Sequence, residues 1–158
     1  MEELEYKRTY HDVNHRPCVF AKAILCRCCQ CSYSLRLSIA ERDAVACSRQ
    51  QAHHRCEQWL EMLYDNARFA LKLAATHAPQ PHAKAIKVQC GGPRGLQQIL
   101  SRQAAVIESN QQSPDPVDDI AALLDQAEQQ YQDLSKLPYS KIVRFISHHP
   151  IKKRSRRK

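Results

Sequence analysis

Apolar positions along this chain form two long helical stripes, separated by stretches where the pattern breaks. Cys56, Leu60, Leu63, Ala67, Ala70 and Ala74 recur at alternating spacings of four and three, and Trp59 and Leu71 widen the stripe. That period lays one apolar face along an α-helix. Ser48 with Gln51 has the spacing of a capping box, so the helix is expected to begin at Ser48, with Cys47 in the preceding turn. It should stop before Pro79 and Pro81. The second stripe, Val117, Ile120, Leu124, Ala127, Tyr131 and Leu134, keeps the same alternation. Asp115 is the expected N-cap there, with Pro116 at the first helical position. Pro138 opens a shorter helix with Ile142, Val143, Phe145 and Ile146 inward, closed by Pro150.

Elsewhere the pattern is less regular. Residues 1–16 are polar and aperiodic and are expected as a flexible arm. Pro17 suits a first helical position, and a helical run is expected from Cys18 into Cys31. Ser38 with Glu41 permits a break near Ser32 to Ser38, although no Gly or Pro enforces one. Ala85 to Cys90 reads as a short strand or extended linker. Gly91, Gly92, Pro93 and Gly95 read as a turn, and Leu96, Ile99, Leu100 and Ile107 as the next helix. The chain has only three glycines, too few for the tight turns of a sandwich or barrel. The expected fold is all-α, a helical hairpin or small bundle with additional C-terminal helices. Its parts are an arm (1–16), a Cys-containing helical core (17–109), a linker (110–116), C-terminal helices (117–150) and a basic tail (151–158).

Charge changes the picture in one place. Lys152, Lys153, Arg154, Arg156, Arg157 and Lys158 supply most of the formal +8 and leave the body near neutral. Such a tail neutralises phosphates on nucleic acid, the ribosome or an anionic surface, but it lacks interleaved aromatics for base stacking, so any such contact would be unspecific. The first residues carry no apolar run of a signal peptide, and no window approaches the length of a membrane span. The expected compartment is therefore the cytoplasm, where thiols stay reduced.

In that compartment eight cysteines raise metal or redox chemistry before disulfides. The string Cys26-Arg27-Cys28-Cys29-Gln30-Cys31 is the densest. Thiolates suit zinc and iron–sulfur clusters, because soft sulfur matches those metals. Over these six residues alone the C-x-C-C-x-C spacing superficially resembles a metallothionein segment. The neighbours Val19, Phe20, Ile24 and Leu25 depart from that family's composition, and no function is carried over from it.

On a helix Cys26 and Cys29 share one face and Cys28 and Cys31 another, so four thiols converge only if the helix unwinds. An unbroken helix would also hold Cys18 and Cys47 roughly 40 Å apart, so a site holding both needs a fold-back near Ser32 to Ser38. Cys56, on the apolar stripe, and Cys90 read as core packing ahead of ligation. His53 and His54 read as polar surface, and His148 and His149 as capping. Adjacent Asp118 and Asp119 read as first-turn charges, and no catalytic signature occurs.

These residues point to a non-enzymatic protein that binds zinc or an iron–sulfur cluster through Cys18, Cys26, Cys29, Cys31, Cys47 and Cys56. Two alternatives stand beside it. One is a helical adaptor whose partner is another protein, with nucleic acid or ribosome contact through the tail. The other is a thiol redox switch.

Overall fold

A computed structural model describes residues 3–73, 80–104 and 116–151. The order is α1 (Glu3–Val13), α2 (Ala21–Leu25), β1 (Ser34–Ile39), β2 (Arg42–Cys47), α3 (Gln50–Leu71), α4 (His82–Ala104), α5 (Ile120–Tyr131) and α6 (Tyr139–His148), with a 3-10 turn at Leu134–Lys136 before α6. α3, α4 and α6 pack mutually, and α5 lies on α4. Their buried faces meet in one core that includes Trp59, Leu63, Val88, Leu96, Leu100, Leu124, Ile142 and Ile146. Removing these side chains from water is the main favourable term in the fold.

The all-α expectation is overturned by an antiparallel hairpin. β1 and β2 pair with Ser34 opposite Cys47 and Ile39 opposite Arg42. Ala40 and Glu41 turn the chain with φ of +49° and +68°. Two left-handed residues are what a two-residue hairpin turn needs, and glycine or asparagine usually supplies them. Here neither does, and the turn leaves no signature in the sequence. Ile39, Ala44, Val45 and Ala46 are buried, and Pro17 bridges to Ala46 along the open edge of β2. The hairpin also supplies the fold-back between Cys18 and Cys47.

The segment expected as a flexible arm forms α1, which buries none of its own residues. Its anchors lie at its ends. Arg42 pairs with Glu3 at 3.2 Å and covers the Tyr6 ring at 4.3 Å. Buried Asn14 donates through Nδ2 to the Val45 carbonyl at 3.1 Å.

α4 runs unbroken through the segment expected as strand and turn, with Pro93 inside it. The glycines serve packing rather than a turn. A Cβ on Gly91 would lie 2.6 Å from Ile146 Cα, and one on Gly95 would lie 2.8 Å from Phe145 Cβ. Pro93 has no N–H, so the carbonyl of Gln89 loses its helical donor. The Cys29 thiol, at 4.0 Å, points at that carbonyl.

Three other boundaries move. α3 begins at Gln50 after Arg49 with no side-chain cap, not at Ser48, and Cys47 ends β2 rather than lying in a turn. The helix expected from Cys18 to Cys31 is confined to Ala21–Leu25. α5 begins at Ile120 with Asp119 as its N-cap, not at Pro116. The six basic tail residues from Lys152 to Lys158, Asp115 and most of the 110–116 linker lie outside the described residues.

Candidate metal centre

The six-residue cysteine string leaves the helix at once. After Leu25 the chain passes through Arg27 in the left-handed region (φ +65°). The N–H groups of Cys28 and Cys29 then both donate to the Ala23 carbonyl, at 2.9 and 3.2 Å. From there the string runs as a ribbon beside Val117. The Val117 N–H donates to the Cys28 carbonyl at 3.0 Å, and the Gln30 N–H to the Val117 carbonyl at 2.8 Å. The unwinding that convergence of the thiols requires is therefore built in.

A second anchor ties α2 to α4. α2 has no side-chain cap of its own. Gln89 supplies one from α4: buried within the core, its Oε1 accepts from the N–H groups of Lys22 and Ala23 at 3.1 and 3.3 Å. Those N–H groups belong to an unsatisfied helix start, and the amide closes it. The next residue on α4 is Cys90. Its sulfur lies 3.4 Å from that of Cys26, which in turn lies 3.3 Å from that of Cys28. All three sulfurs fall within 4.8 Å of one another, and this group of thiols could hold a metal ion.

The residues fit a tetrahedral metal. With metal–sulfur bonds of about 2.3 Å, sulfurs on one tetrahedron sit roughly 3.8 Å apart. The separations of Cys26 from Cys28 and from Cys90 lie within about half an ångström of that value. Buried His149, just past α6, lies beside Cys28 but outside the group of mutually close ligand atoms, so it would complete a tetrahedron only by moving inward. The local electrostatics favour a thiolate. The Cys28 thiol is held well below its ordinary range, chiefly by the Cys90 thiol donating to it. Burial opposes this, while His149, Cys26 and the Arg94 guanidinium add to it. Cys90, as the donor, is pushed up for the same reason. Arg94 stands one turn after Cys90, and its buried Nε has no hydrogen-bond partner.

The six cysteines expected as ligands do not act as one set. Cys26 joins Cys28 and Cys90. Cys29 is fully buried on its own, and its thiol is pushed up by burial and then by the Cys28 charge. Cys18, Cys31, Cys47 and Cys56 line a different cavity, of about 20 Å³. Burial pushes the Cys18 thiol up to about 11 and that of Cys56 up to about 12. His53 lines the same cavity, but its ring nitrogens meet the Pro17 carbonyl at 2.8 Å and Glu57 at 2.9 Å.

The reading of His149 as a cap holds, since it is the C-cap of α6, whereas Cys28 and Cys90 were not legible as members of the thiol group. A helical reading puts Cys28 on the wrong face. Cys90 reads as packing before a turn. No local spacing links Cys26 and Cys28 to residues so distant in the chain.

No family model, curated protein or solved structure matches this chain. Among the described residues no helix is long and apolar enough to cross a membrane.

Proposed function

We propose that this is a zinc-binding protein in which Cys26, Cys28, Cys90 and His149 hold one ion in a closed, structural site. The convergence of three sulfurs at single-ion spacing carries the reading. Zinc takes three thiolates and an imidazole in tetrahedral geometry, and a site with four protein ligands leaves no position for substrate. A non-enzymatic role follows from that closure. Three thiolates and a neutral imidazole around a divalent cation leave one net negative charge, and Arg94 is placed to offset it. The spacing favours a single ion over an iron–sulfur cluster at these sulfurs. What the ion would do is mechanical. It would fasten the end of α2 to the middle of α4 and to the segment after α6, elements joined otherwise by Gln89, by Lys22 with His82, by Lys87 with the Ser147 carbonyl and by apolar contact.

The test is metal analysis of protein purified without oxygen. Cys26→Ser combined with Cys90→Ser should carry one zinc fewer per chain than the parent. Cys29→Ala, which alters a sulfur outside the cluster, should keep the parent's content. An unchanged zinc count in the double variant, or iron and acid-labile sulfide lost with it, would overturn the zinc assignment.

A further inference from the structure

Four more cysteines line a cavity away from this centre, and nothing in the proposed function uses them. Cys18 follows Pro17, Cys31 ends the string, Cys47 ends β2, and Cys56 sits in the second turn of α3. Backbone bonds fix their approach. The Cys18 N–H donates to the Val45 carbonyl at 2.9 Å, the Cys47 N–H to the Arg16 carbonyl at 2.8 Å, and the Ser34 N–H to the Cys31 carbonyl at 3.1 Å. Ser34 is itself the residue paired with Cys47 in the hairpin. Four segments that are separate in sequence thus deliver one thiol each to the wall of a single cavity.

Several features of this cavity point to a ligand. Its volume, about 20 Å³, is that of one small atom or ion, since roughly 10–15 Å³ suffices for a water. Apart from the sulfurs its walls are largely apolar, with Phe20 and Ile120 among them, so water would find few partners there. Arg55 lies near Cys56 with its Nε buried and unpartnered, although the rest of its guanidinium pairs with Asp125 and Glu128 and donates to the Ala121 carbonyl.

We propose that Cys18, Cys31, Cys47 and Cys56 form a second, all-sulfur site for one soft metal ion, zinc being the expected occupant. It is independent of the Cys26–Cys28–Cys90 centre. Among the described residues only the first three sulfurs lie mutually within 4.8 Å, so binding at the second site draws its thiols inward across the cavity. Soft thiolates select zinc or its cobalt substitute over hard cations. Each bound thiol releases its proton as the metal–sulfur bond forms. His53 is a neighbour rather than a ligand, because both of its ring nitrogens are engaged.

The experiment is anaerobic cobalt titration of a chain carrying Cys26→Ser and Cys28→Ser, which removes the first centre. One cobalt per chain is expected, with thiolate-to-metal charge transfer and the visible bands of a four-sulfur tetrahedron. Adding Cys47→Ser and Cys56→Ser should abolish both. A readout on the parent chain guards against variants that fail to fold. In zinc-loaded protein Cys18, Cys31, Cys47 and Cys56 should resist alkylation, and a chelator should expose all four together. Absence of bound cobalt in a folded first-centre variant would overturn the proposal, as would alkylation of these four thiols that ignores metal. Iron with acid-labile sulfide, lost on changing Cys47 and Cys56, would overturn the single-ion occupant. If instead the parent binds one ion that survives Cys26→Ser with Cys28→Ser, the first centre fails and this one stands.

Discussion

Gly91 sets how closely α6 approaches α4, because a methyl group there would meet the Ile146 backbone at 2.6 Å. Backbone cannot step aside as the end of a side chain can. Gly91→Ala gains up to about 1 kcal/mol of helix propensity, whereas overpacking a tight contact costs about 1–3 kcal/mol. The net effect should be destabilising. Gly92→Ala is the informative comparison. Its added methyl would meet Leu63 Cδ1 at 2.7 Å, a terminal atom that can rotate away, so the loss should be smaller. Urea unfolding of the two metal-free variants gives the order, and equal losses would show that helix approach is not what these glycines serve. Gly91→Ala should also weaken zinc binding, because Ile146 lies one turn before His149.

At the scale of elements, Asp119 joins the cysteine string to α5. Its carboxylate accepts from the Ala121 N–H at 3.1 Å as the helix cap and from the Ser32 N–H at 3.0 Å, just past Cys31. Burial works to raise its pKa, but donors from Ser32, Ala121 and Ala122 outweigh it and hold the carboxyl below its usual range. A carboxyl depressed in the folded state stabilises fully above its unfolded pKa, near 3.9 by general expectation, and loses that contribution as pH falls through the folded value. Asp119→Ala should therefore cost about 0.5–2 kcal/mol at neutral pH, the ordinary range for a lost N-cap. Asp119→Asn should lose less stability between pH 7 and 3 than the parent, measured on metal-free protein so that metal release does not intrude. Asp119 is only half-buried, so screening keeps this pH-dependent part small. An acid-side slope as steep in Asp119→Asn as in the parent would remove the carboxylate from the account. The elements differ in how far sequence discloses them. The stripes of α3 and α5 are legible because each helix has one wet face and one dry face, which period alone reveals. The hairpin is not, since Ala40 and Glu41 take left-handed φ without the residues that announce it. α4 is hidden for the opposite reason: glycines that usually mark a turn here serve close packing, a fact settled only by where α6 lands. The string is misread because Arg27 ends α2 after five residues, a break made by pairing with Val117 nearly ninety positions away.

Across the whole molecule one apolar core takes in Cys28 and Cys90, and Cys18, Cys31 and Cys56 pack against it. Trp59, Leu63, Leu96, Leu100, Ile142 and Ile146 are buried against one another in α3, α4 and α6. A chain of this length can hold such a core without metal. The metals would instead secure what surrounds it. Cys26 and Cys28 belong to one site and Cys31 to the other, so the six-residue ribbon would be fastened at both ends, with Cys29 buried between. The second site would add the Pro17 segment, the hairpin and the start of α3. Removing metal should then lower the melting temperature without unfolding the protein. With free ion at a thousand times its dissociation constant, each site contributes about 4 kcal/mol by mass action, and chelation withdraws it. Hydrogen exchange should show where. Amides from residue 18 to residue 47, with Val117 and Ile120, should exchange faster in the metal-free protein, while those around Val88 to Leu100 and Ile142 to Ile146 stay protected. Wholesale loss of protection in α4 and α6 would place the metals inside the cooperative core and reject a peripheral role. Unchanged exchange throughout the ribbon would show that neither group of thiols fastens it.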